Sequence, residues 1–188
     1  MSNNIFIRIR KRIGARLLKQ RLVFERMMQL KPLADIRSAL IVADISNDGN
    51  DAAVRTLKND LKRICPNTRV DFFCYYDVHS RQDTSKLISD QSTEYLSSNG
   101  LNFFFLPKDR NVVDNLAKIR DISFALIDDA DSPLILLNKA INSSLRIGPR
   151  GLDDENFDIM VEVPNSDMFT LVKQIAHYIE IICTVNFL

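Results

Sequence analysis

Short apolar runs punctuate this chain, and stretches of helical spacing lie between them. The clearest is RSALIVADIS (37–46), in which Ala39 to Ala43 are five consecutive apolar residues, the pattern of a strand buried on both faces. RVDFFCYYD (69–77), LNFFFLP (101–107), ISFALID (122–128), SSLRIG (143–148) and FDIMVEVP (157–164) continue the series. In DAAVRTLKNDLKRICP, Ala53, Leu57, Leu61 and Ile64 share one helical face, with Asn50 or Asp51 as cap and Pro66 past the end. RNVVDNLAKIRD predicts a helix with Val112 or Val113, Leu116 and Ile119 facing inward. DSPLILLNKAIN predicts another, with Ser132 as cap and Pro133 at its first position. SDMFTLVKQIAHYIEIICTV closes the chain as a long helix capped by Ser166 or Asp167. The polar stretch DTSKLISDQSTEYLSSNG accommodates a short helix ending at Gly100.

This alternation predicts an α/β fold: a Rossmann-like three-layer α/β/α arrangement with a mostly parallel sheet of about six strands and the 37–46 strand at its centre. About nine residues join the fifth and sixth strands, fewer than the dozen a helical crossover takes. The last strand is therefore expected to be antiparallel, or reached by an irregular link.

Ahead of the first strand lies IFIRIRKRIGARLLKQRLVFERMMQLKP (5–32). At 100° per residue, Phe6, Ile9, Ile13, Leu17, Phe24 and Met27 fall on one broad face, and Arg8, Arg12, Lys19 and Arg26 lie opposite or beside it. The pattern predicts an amphipathic helix, interrupted near Gly14 and ended by Pro32. Residues 1–31 hold nine of the 25 Lys and Arg but one of the 24 acidic residues, Glu25, so a net charge of +1 conceals a basic arm and an acidic body. The expected organisation is a basic helical arm, 1–32, followed by a single α/β domain, 33–188. Hydrophobic residues make up 46% of the chain, near the average of globular proteins, which argues against an intrinsically disordered protein.

Function classes narrow from there. Three cysteines, Cys65, Cys74 and Cys183, without paired spacing give no disulfide framework or zinc motif, and two histidines exclude a His-rich metal site. No stretch reaches the ~20 apolar residues of a membrane span, and cations interrupt the amino-terminal apolar positions, so the expected location is the cytoplasm. No cofactor, metal or catalytic residue is expected. The first strand is followed by DISNDGND, without a Gly-x-Gly-x-x-Gly or Gly-Lys-Ser/Thr phosphate loop. There is no Gly-x-Ser-x-Gly elbow, and His177 lies mid-helix among Ile175, Ala176 and Ile179. Asp44, Asp77 with His79, Asp109 and Asp128 with Asp129 all follow strands, where a parallel sheet places ligands. They form a candidate pocket, although strand-end acids also cap helices. RIGPRG (146–151) offers Arg146 and Arg150 as a candidate anion loop around Gly148 and Gly151.

FFFLPKD (103–109), ISFALIDDADSPLILLNKAINSSLRIG (122–148), FDIMVEV and the hydrophobic terminal helix resemble an uncharacterised group of Bacteroidota proteins, classed as a domain of unknown function of about this length. That resemblance implies no activity. The segment 126–148 is also weakly similar to the amino-terminal half of heptosyltransferase-type sugar transferases, whose second half this chain does not contain. The resemblance implies a degenerate or single-domain glycosyltransferase-like enzyme as one alternative. The leading expectation is a non-enzymatic interaction protein whose basic helix docks on its own domain or on a protein partner. Binding through Arg8, Arg10, Lys11, Arg12, Arg16, Lys19, Arg21 and Arg26 to RNA or the ribosome, or to the inner membrane surface, is the other alternative.

Overall fold

The computed structural model describes residues 2–22, 35–47, 49–80, 92–152, 157–163 and 167–185. Six strands, β1 (Ser38–Asp44), β2 (Arg69–Tyr76), β3 (Thr93–Ser97), β4 (Arg120–Leu126), β5 (Ser143–Pro149) and β6 (Ile159–Val161), form one sheet in the order β3-β2-β1-β4-β5-β6. Every pairing is parallel. The helices are α1 (Ser2–Arg21), α2 (Asn50–Ile64), α3 (Arg110–Leu116), α4 (Leu134–Leu137) and α5 (Met168–Val185).

The apolar run of β1 lies inside the sheet, between β2 and β4, and its side chains alternate between two cores. Ala39, Ile41 and Ala43 pack in one cluster with Leu57 of α2 and Leu171, Val172 and Ile175 of α5. Leu40 and Val42 pack in the other with Leu116 of α3, Leu134 and Leu137 of α4, and Leu18 of α1. The three layers of a Rossmann-like fold follow directly from that alternation.

Several expectations need correction. The 101–107 stretch is not a strand. It is a loop closed by a Leu101–Pro107 bridge, in which the Asn102 side chain accepts from the amides of Phe104 and Leu106 and Phe105 takes a left-handed φ of 61°. The third strand is β3, in the stretch read as helical; as an edge strand it needs few apolar residues, and only Leu96 is buried. α3 stops at Leu116, so Ile119 is 81% exposed instead of facing inward. The helix after Pro133 is one α-turn followed by a 3₁₀ turn, Asn138–Ala140, and the Ser132 hydroxyl still caps it by accepting from Leu134 N. The cap of α2 is Gly49, at φ 98°, while Asn50 lies inside the helix. Asp167 caps α5, accepting from the amides of Phe169 and Thr170. β6 is parallel, and the described residues of its link from β5 are not helical. α1 runs unbroken through Gly14. The part of the expected arm from 23 to 34 lies outside the described residues.

Candidate functional site

The chain runs outward from β1 through β2 and β3 on one side and then crosses back to β4, β5 and β6 on the other, so the loops after β1 and β4 diverge and leave a crevice. A cavity of about 230 Å³ opens there, lined by Asp44, Asp77, Asp128, Asp129 and Asp131 together with Tyr75. A neighbouring cavity of about 580 Å³ shares Tyr75, Phe105 and Pro133 with it and adds Arg10 and Lys108.

The carboxylates of the crevice are held by side chains that sequence reasoning did not assign to it: Ser46 and Asn47 carried no reading, and Asn50 and Ser132 were read only as helix caps. Asp44, 5% exposed, accepts from Ser132 Oγ at 2.5 Å, from Ser46 Oγ at 2.6 Å and from Ser46 N at 3.0 Å. Burial pushes its carboxyl above the ordinary range; the three hydrogen bonds pull it back and the Asp128 charge adds to the rise. Asp128 Oδ2 accepts from Asn47 Nδ2 and Asn50 Nδ2, both at 3.2 Å. Burial also raises Asp77, but hydrogen bonds from His79 N and Ser98 Oγ outweigh it, and its carboxyl titrates below the ordinary range. Burial and the charges of Asp44, Asp77 and Asp129 drive the Tyr75 phenol far up, so it stays protonated. Serines and asparagines at strand ends ordinarily read as turn formers or caps, which is why they gave no signal for the crevice.

The other sequence candidates are dispersed. Asp109 caps α3, accepting from Asn111 N at 2.9 Å, and does not line the crevice. His79 is exposed and contacts Asp77 through its backbone amide. Arg146 is buried, with its guanidinium donating to Ile141 O. Arg150 is exposed and pairs with Glu162 at 3.4 Å. One arginine lies in the core and the other in solvent, and the fold does not bring their guanidinium groups together. His177 is exposed on α5. Among the described residues, no group of three or more His, Cys, Asp or Glu is arranged to hold a metal ion.

The basic helix sits against the body beside the crevice, and its seat differs from the predicted apolar face. Gly14 and Leu18 are buried, while Ile9 is 51% and Ile13 39% exposed. A Cβ on Gly14 would lie 2.3 Å from Phe104 O and 2.8 Å from a Leu136 methyl, so the smallest residue makes the closest approach. A pattern that ranks positions by apolar size cannot find such a contact. Two expected surface cations also turn inward. The Arg10 guanidinium lies 4.2 Å from the Phe103 ring centre and 4.3 Å from that of Phe105, and donates to Phe103 O. Lys11 Nζ donates to Ala130 O and lies 3.8 Å from Asp131. Burial lowers the lysine's pKa, while Asp131 and Asp129 oppose that shift. Arg8, Arg12, Arg16 and Lys19 remain outward, no ion pair tying them to another described residue, and α1 itself contains no acid. The side chain of Arg21 and all of Arg26 fall outside the described residues.

No helix among the described residues is long and apolar enough to cross a membrane. A family model matches residues 8–182, helix α1 included from its second turn. No curated protein matches the sequence. Among solved structures, the chain is similar to the E. coli heptosyltransferase WaaC with ADP, at 13% identity and a TM-score of 0.51. The match covers 75% of this chain and 46% of the transferase, so this chain spans less than half of that enzyme's length. At that identity the likeness speaks for the fold alone.

Proposed function

The matching family is DUF6913, a family of unknown function, and this chain belongs to it; since membership assigns no activity, we propose a non-enzymatic cytoplasmic protein that acts through interactions. Its basic helix is docked on the body by one face and offers the other to a polyanionic partner. The observation that carries this reading is the split of α1 into an inner face, Gly14 and Leu18, and an outer face with Arg8, Arg12, Arg16 and Lys19 and no acid. Four like charges on one face repel one another, and an anionic partner relieves that repulsion.

A second reading, a single-domain or degenerate glycosyltransferase-like enzyme, draws on the likeness to the heptosyltransferase and on the crevice where the strand order turns. The crevice weighs against it: Asp44, Asp77, Asp128, Asp129 and Asp131 surround the position where such a fold receives phosphate, and like charge disfavours a nucleotide there.

The two readings separate experimentally. The interaction reading expects the full chain to be retained on a heparin column at about 0.1 M salt, and Arg12→Glu/Arg16→Glu to lose retention with an unchanged Tm. It expects ADP to leave the Tm unaltered. A nucleotide-dependent rise in Tm, with heparin retention untouched by the charge reversals, would favour the enzyme.

A further inference from the structure

We propose that the partner of the outer face of α1 is an anionic lipid surface, on which the protein lies by that face; this rests on the polyanion reading and names its ligand. The apolar residues on the same face point to it. Ile9 and Ile13, one helical turn apart, stand exposed directly beside Arg12 and Arg16. Around the helix at 100° per residue, the outer face grades from Arg8, Lys19, Arg12 and Arg16 to Ile9 and then Ile13. Farther round, beyond Leu17, comes Arg10, whose guanidinium lies over Phe103, and Phe103 is itself 56% exposed. Cations thus border an exposed aliphatic edge, Ile9 and Ile13, on a helix whose Arg10 also covers the exposed Phe103.

A phosphate backbone would use the cations but gain nothing from two isoleucines, and a single-stranded nucleic acid needs open aromatic faces. The exposed aromatic beside this face, Phe103, is covered on one side by Arg10 and meets Phe104 edge-on at 5.4 Å. A lipid interface uses both halves of the gradient: headgroup phosphates take the cations and the acyl boundary takes the aliphatic side chains. The charge distribution fixes the orientation. The body beyond residue 31 carries an excess of acid, so an anionic surface attracts the helix and repels much of the remainder. Attachment of this kind is peripheral and reversible, in keeping with the described helices, none of which is long and apolar enough to cross a membrane.

The test is co-sedimentation of the full chain with vesicles of phosphatidylcholine alone and of phosphatidylcholine with 30% phosphatidylglycerol, across a salt series. Poly(U) and an RNA duplex serve as parallel ligands. Binding is expected on the anionic vesicles only, with a remnant that persists at high salt. Ile9→Gln/Ile13→Gln should weaken vesicle binding about tenfold and leave heparin retention unchanged, because glutamine keeps helix propensity and both positions face outward. Arg12→Glu/Arg16→Glu should abolish both. RNA binding without vesicle binding, or vesicle binding indifferent to the isoleucine changes, overturns the lipid assignment and leaves the polyanion reading standing. Failure of the folded wild-type protein to bind heparin, RNA and anionic vesicles overturns both.

Discussion

Asp44 ends β1, a strand buried along nearly its whole length, and its carboxyl is taken from water by the loops that follow β1 and β4. Because burial raises its pKa in the folded chain, the native state binds a proton there more tightly than the unfolded state does. The site is therefore most favourable to folding in acid, and that contribution is lost as pH rises through the folded pKa. Asparagine removes the titration. Thermal melts of wild type and Asp44→Asn from about pH 4 to pH 7 should show the wild type losing ground to the variant as pH increases. A difference that stays flat, or grows in favour of the wild type, would mean that the carboxylate is not desolvated. Asp44, Asp77 and Asp128 could be brought to one edge from the sequence, because parallel strands place their carboxyl ends together. Their partners Ser46, Asn47, Asn50 and Ser132 could not, since nothing in a turn-forming serine or asparagine tells which distant side chain it will meet.

Among the strands, those buried on both faces were legible, and of the two edge strands β6 was read while β3 was not. β1, β2, β4 and β5 announce themselves by dense apolar content, whereas β3 lies at the sheet edge and spends its residues on solvent. The aromatic run before Pro107 has strand composition, but the Asn102 side chain and the left-handed Phe105 wind it into a loop that cradles Arg10. α1 was recognisable as a helix, yet its seat was not, because the contact is built on a glycine. That contact has a sign that can be measured. In a helix standing free in solvent, Gly14→Ala would stabilise by about 1 kcal/mol. Against Phe104 O the added methyl has no room, and overpacking of about 1–3 kcal/mol outweighs the propensity gain. The expected net loss, up to about 2 kcal/mol, lowers Tm by up to roughly 8 °C. A higher Tm for the alanine variant would show that the helix is not seated as described.

At the scale of the whole molecule, the sheet order makes β1 and β4 the innermost pair, each with a parallel neighbour on both sides, while β3 and β6 close the edges. Stability in such a sheet is graded from centre to rim. Amide exchange should be slowest at Leu40, Ile41, Val42, Phe124 and Ala125, and faster in Thr93–Ser97 and Ile159–Val161; protection as high in the edge strands as at Val42 would contradict the order. The same topology bears on how the chain is made. Lys11 and the carbonyl it binds, Ala130 O, are 119 residues apart. At roughly 5–20 residues per second, about 6–24 s pass between synthesis of the helix and synthesis of its seat. Throughout that interval the nascent chain exposes both sides of α1, and whatever first meets the helix during translation does so before the finished protein has hidden Leu18.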